Sequence, residues 1–77
     1  MNIHINGEER SCPDSAPSAL FTLAALIEFL AMKSDRVAVE LNRNIISRDL
    51  WSQTVLKEGD RLEIVHFVGG GSYPSRH

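Results

Sequence analysis

Three consecutive glycines, Gly69-Gly70-Gly71, follow the run Leu62-Glu63-Ile64-Val65-His66-Phe67-Val68 near the end of a 77-residue chain. A glycine triplet buries no side chain and loses more backbone entropy on ordering than any other residue type, so it contributes nothing to packing. It suits backbone that must pass where no side chain fits, or a loose connector. The other groups capable of chemistry are scattered. His4 and His66 lack the spacing of a metal-ligand set. Cys12 is the lone cysteine, so it makes neither an internal disulfide nor a cysteine zinc site, and only Arg10 lies close enough to polarise it. No nucleophile stands near a base and no carboxylate pair is set for acid–base work. Phosphate cradling by the glycines is disfavoured, because no Lys-Ser/Thr pair and no helix pattern follows them. Chemistry at this chain has to come from a partner.

Composition points the same way. A chain this short is one domain near the lower limit of independent folding, with little room for a deep pocket. Its hydrophobic share of 43% is ordinary for a globular domain. A net charge of -2 leaves no basic stripe, which argues against nucleic acid as the main partner. With no signal-like segment and no apolar run of membrane-spanning length, the expectation is a cytoplasmic protein with no membrane partner.

The elements that must position the glycines are readable from periodicity. Ile3 and Ile5 alternate with polar residues, as in a strand with one buried face, and Asn6-Gly7 is a strong two-residue hairpin signal. Glu8 to Cys12 then returns as a polar edge strand. Pro13 to Pro17 is a loop. Leu23, Leu26, Ile27 and Leu30 share one face of a helix. Thr22 is its expected cap, with Phe21 stapled onto Leu26; Ser18 is a competing start. Lys33 is expected to favour the helix C-terminal end electrostatically. Val37, Val39 and Leu41 alternate as a strand, Asn42-Arg43-Asn44 turns, and Ile45-Ile46 makes a short return. Trp51 plugs a loop or helical turn against the core edge. Gly59 serves a turn over 57–60, where Glu58 and Asp60 read as solvated. Arg61 to Val68 is the last strand. If Leu62 and Ile64 face the helix, then Glu63, Val65 and Phe67 face out, and exposed apolar groups beside a tail mark a docking surface. Pattern alone supports a small α+β domain.

The phrase His66-Phe67-Val68-Gly69-Gly70-Gly71, preceded by Leu62-Glu63-Ile64-Val65, resembles the end of the ThiS family, sulfur carriers of thiamine biosynthesis. The run Leu41-Asn42-x-x-Ile45-Ile46-x-Arg48-x-x-Trp51 resembles the same family, and the likeness spans essentially residues 1–71. It implies an α+β, ubiquitin-like β-grasp: a mixed four- to five-stranded sheet, first and last strands parallel in its centre, one main helix on one face, and a flexible C-terminal tail. The domain would be residues 1–68 and the tail 69–77. Family members usually stop at the last glycine, whereas this chain continues through Ser72-Tyr73-Pro74-Ser75-Arg76-His77.

The resemblance also implies a function. The chain would be a carrier acted on by enzymes, binding no cofactor and no metal. A ubiquitin-activating-like adenylating enzyme (ThiF type) would consume ATP to activate the carboxylate of Gly71, with Gly70 as the alternative. A sulfur donor such as a cysteine desulfurase would supply persulfide sulfur, and the resulting thiocarboxylate would serve a thiazole synthase (ThiG type). Val68, Gly69 and Gly70 would be the tail residues that partners recognise; Glu63, Val65 and Phe67 would be the docking residues. From Phe67 to Gly71 an extended chain spans roughly 14 Å at about 3.5 Å per residue, enough to enter a buried site. An internal peptide carbonyl cannot be adenylated, so a processing protease would first have to remove residues 72–77. The alternatives are a molybdopterin-synthase small subunit, or a ubiquitin-like modifier or interaction module.

Overall fold

The computed structural model describes residues 1–67. Its elements in chain order are strand β1 (Asn2–Ile5), strand β2 (Glu8–Ser11), helix α1 (Leu23–Phe29), a 3-10 turn (Ser34–Arg36), strand β3 (Val37–Leu41), strand β4 (Asn44–Ile46), a 3-10 helix (Arg48–Gln53) and strand β5 (Arg61–His66). The five strands form one mixed sheet in the order β2-β1-β5-β3-β4. β1 and β5 are parallel, with His4 opposite Arg61, and every other pairing is antiparallel.

Both hairpins turn through two successive residues at positive φ. Asn6 (52°) and Gly7 (85°) close β1 onto β2, and Asn42 (49°) and Arg43 (73°) close β3 onto β4. Two positive φ values in a two-residue loop match the right-handed twist of the strands they join. Thr22 caps α1, its Oγ1 accepting from the Ala25 N–H at 3.1 Å. The helix is shorter than its apolar face suggested. It stops at Phe29 because Ala31 turns left-handed (φ 59°), letting Ala31 N donate to the Glu28 carbonyl and Met32 N to the Ile27 carbonyl. These two bonds satisfy the last carbonyls of the helix. Lys33 therefore lies beyond the helix, next to the 3-10 turn, and not in its last turn.

The core lies between α1 and one face of the sheet. Ile3 and Ile5 of β1, Leu62 and Ile64 of β5, and Val37 and Val39 of β3 meet Leu23, Leu26 and Ile27, with Phe21, Trp51 and Leu56 closing the sides. Trp51 is 3% exposed and its indole N–H donates to the Ile46 carbonyl at 2.9 Å, so its burial leaves no polar atom unpaired. Asp60 departs from the solvated reading. It is buried, its Oδ1 accepting from Asn42 Nδ2 (3.1 Å) and Lys57 Nζ (3.3 Å), and its Oδ2 from the Lys57 N–H (2.9 Å). A buried carboxylate is tolerated only with partners of this kind.

Candidate functional site: the open sheet face and the root of the tail

One face of the sheet carries α1; the other is open. The register places His4, Arg61, Glu63, Val65, Ala38, Glu40 and Ile45 on the open face, opposite in sense to the buried Leu62, Ile64, Val37 and Val39. The face divides in two. Around the start of β5, His4, Arg61, Glu63, Glu40 and Arg43 border a shallow polar concavity. Towards the end of β5 the face turns apolar: Val65 (57% exposed) stands directly across from Ala38, while Ile45 (80% exposed), on β4 in the row of Glu40 and Glu63, lies diagonal to Ala38 and lines one groove with it. Large apolar groups left in water at this density are characteristic of surfaces that become covered.

Glu63 and Val65 are exposed, while Phe67, just past the strand, is half-buried. Its N–H donates to the Arg36 carbonyl at 2.8 Å, and the residue borders two grooves, one with Leu30 and Met32, the other with Ile45, Ile46 and Trp51. Val68, Gly69, Gly70, Gly71 and the extension 72–77 lie outside the described residues. Strand parity found Glu63 and Val65 but missed Ile45. Of the adjacent pair Ile45-Ile46, only the pairing of Glu40 with Ile45 shows which one leaves the core.

The backbone at the tail root follows from the same register. Arg61 O accepts from Asn42 N (2.7 Å) and Phe67 N donates to Arg36 O, so odd-numbered residues of β5 turn their backbone groups to β3. Even-numbered residues turn theirs to β1: His4 N donates to Asp60 O and Asn6 N to Leu62 O, both at 2.9 Å. At Ile64 the strand β1 has already ended, and the Asn6 side chain takes its place. Ile64 N donates to Asn6 Oδ1 (2.8 Å), and Asn6 Nδ2 donates to the Ile64 carbonyl (3.1 Å). Asn6 is thus both the turn residue and the last rung of the central ladder. The sequence marked it only as a turn.

The remaining chemical groups form no centre. Burial pushes the Cys12 thiol up, with the nearby amino terminus and Arg10 opposing it, so Cys12 stays protonated and buried where a sulfur relay would need an exposed thiolate. Half-buried His4 points onto the open face, and its Nδ1 is buried without a partner among the described residues. Among those residues no three His, Cys, Asp or Glu side chains gather as a metal-binding group, and no helix is long and apolar enough to cross a membrane.

A ThiS family model matches residues 3–71, so the match runs from β1 through the glycine triplet. The chain belongs to the ThiS family. Thiazole synthase of Magnetococcus marinus is 42% identical over 74 residues, covering 96% of this chain but 21% of that protein. The chain thus spans about a fifth of the length of the thiazole synthase it matches. The sulfur carrier protein ThiS of Bacillus subtilis is 38% identical over 50 residues, 65% of this chain and 76% of that protein. The crystal structure of the thiamine biosynthesis protein ThiS from Geobacter metallireducens superposes with a TM-score of 0.72 at 33% identity, covering 92% of this chain and all of that one. The ThiS β-grasp expected from the sequence, with its parallel central pair and single helix, is the fold observed.

Proposed function

We propose that this ThiS-family chain is a sulfur carrier of thiamine (thiazole) biosynthesis, a cytoplasmic protein that enzymes act upon and that catalyses nothing itself. The reading rests on one observation above all: the family match extends through Gly71, the residue whose carboxylate would be charged. Residues 72–77 are removed first by a processing protease. An adenylating partner (ThiF type) then uses ATP. The Gly71 carboxylate attacks the α-phosphate, pyrophosphate leaves, and the poor acyl donor becomes an acyl-adenylate. The outer sulfur of a persulfide, supplied by a desulfurase-type donor, displaces AMP. Cleavage of its S–S bond by a thiol leaves the thiocarboxylate. Val68, Gly69 and Gly70 pass through the partner's channel, whose walls can approach backbone that carries no Cβ at the glycines.

Docking is assigned to the apolar end of the open face, Val65 and Phe67 with Ala38 and Ile45, and Glu63 lies at its polar border. The relatives favour a thiazole synthase (ThiG type) as the acceptor, since a segment like this chain lies within the polypeptide of such an enzyme. The test is intact mass. Incubation of trimmed protein with the adenylating enzyme, ATP and a sulfur donor should exchange one oxygen for sulfur at Gly71, and deletion of Gly70 and Gly71 should abolish the change. Conjugates to lysine on a denaturing gel, with no mass exchange, would overturn the carrier reading in favour of a modifier.

A further inference from the structure

We propose that thiazole synthase docks by adding an extended strand to the sheet beside His66, in the lane that β1 vacates. This rests on the carrier reading above, but concerns a contact that reading does not contain. The lane is defined by the backbone. On the β1 side of β5, Leu62 is bonded by Asn6 N and Ile64 by the Asn6 amide. His66 is next in that series. Its N–H and C=O point to the same side, two residues past the last rung, where β1 no longer runs and the Asn6-Gly7 turn has carried the chain away. On the other side His66 faces Val37 as a pair that exchanges no bonds, because the flanking Phe67 bonds to Arg36.

An unpaired strand edge in the middle of a sheet is a template for another chain, and natural proteins usually blunt such edges. Here the usual devices are missing at His66: no proline, no covering loop and no bulge occupies the lane among the described residues. Asn6 instead squares off the end of β1, leaving a clean start for an incoming strand. The His66 side chain, on the helix side with Leu62 and Ile64, borders a groove with Leu30, Ala31 and Met32, flanked by Lys33 and Arg36. An entering segment with an apolar residue aimed at that groove and an acidic neighbour would fit it. Main-chain pairing gives affinity in this mode of recognition and side-chain pockets give specificity.

Amide exchange by NMR on the full chain tests this directly. In the free protein the His66 amide should exchange without protection, while Ile64 and Phe67 are protected by Asn6 and Arg36. Adding its organism's thiazole synthase should protect His66. His66→Pro, which removes an N–H with no internal partner, should keep the fold and weaken binding roughly tenfold or more, the equivalent of one lost desolvated hydrogen bond. His66→Ala, which leaves the backbone intact, should bind within about threefold of the parent, on the order of what one lost side-chain contact costs. Binding without protection of His66 overturns the strand addition and leaves the carrier reading standing, whether or not His66→Pro folds. Equal losses in His66→Ala and His66→Pro also overturn it, because the contact would then belong to the side chain. No binding of the unsubstituted chain, either full-length or trimmed after Gly71, overturns both.

Discussion

Replacing Asn6 by glycine separates its two duties. Glycine keeps the positive φ of 52° that the turn needs, and accepts it more readily than any other residue. What is lost is the amide that bonds Ile64 at 2.8 and 3.1 Å. Each such bond between part-buried groups contributes about 0.5–1.5 kcal/mol net. The freed Ile64 groups lie at a strand edge, so water recovers part of the loss, and the easier backbone returns a few tenths of a kcal/mol. The expected destabilisation of Asn6→Gly is therefore about 1–2 kcal/mol. For a domain of this size each kcal/mol moves the melting temperature by about 4–8 °C, so Tm should fall by roughly 5–15 °C. Urea titration should show a lower midpoint at unchanged slope. Ile64 amide exchange should accelerate beyond the global change, whereas Val65, bonded to β3, should follow the global change alone. An unchanged midpoint, or Ile64 protection that survives the substitution, would refute the assignment of the central rung to Asn6.

Ala31→Gly should stabilise the domain by about 1 kcal/mol, since Ala31 holds a left-handed conformation at φ 59° that costs any residue with a Cβ; thermal melting checks it, and a loss of stability would show that the helix does not end there. Val65→Asp should leave Tm within a few degrees but weaken binding to both the adenylating enzyme and thiazole synthase by tenfold or more, read by titration calorimetry, because the side chain is 57% exposed on the apolar end of the face. The Cys12 thiol should react with a thiol reagent far more slowly in the folded chain than in urea. Its folded pKa is raised by burial, so the stability linked to it is complete below the ordinary thiol range and declines as pH rises through and above that range; Cys12→Ala should remove that part of the alkaline slope.

Much of the fold was legible because its signals were local. The alternation around Ile3 and Ile5, the Asn6-Gly7 turn, the Thr22 cap and the Val37–Leu41 period each act within a few residues, and each element formed where they placed it. What pattern could not supply was partnership across the chain. That Asn6 would bond Ile64, 58 residues away, depends on β1 ending one step short of its neighbour. That Asp60 would be buried depends on Asn42 arriving from another hairpin. Both look like solvated turn residues until the sheet brings them together. The helix end was missed for a related reason: Ala31 is a good helix former, and only the packing of Met32 onto the core makes the left-handed exit worthwhile. At the site, Val65 followed from parity, while Ile45 was hidden by the equal hydrophobicity of its neighbour Ile46.

The central position of β5 has a consequence for synthesis. β5 is the last of the five described strands to leave the ribosome, yet it separates β1 from β3, so before its arrival this sheet exists only as two hairpins with no shared ladder. Closing it requires joining segments nearly sixty residues apart, the slow kind of contact in small-domain folding. A polypeptide broken off before residue 61 therefore has no assembled face to offer, and a nascent chain acquires its binding surface only as translation reaches the segment that bears the glycines.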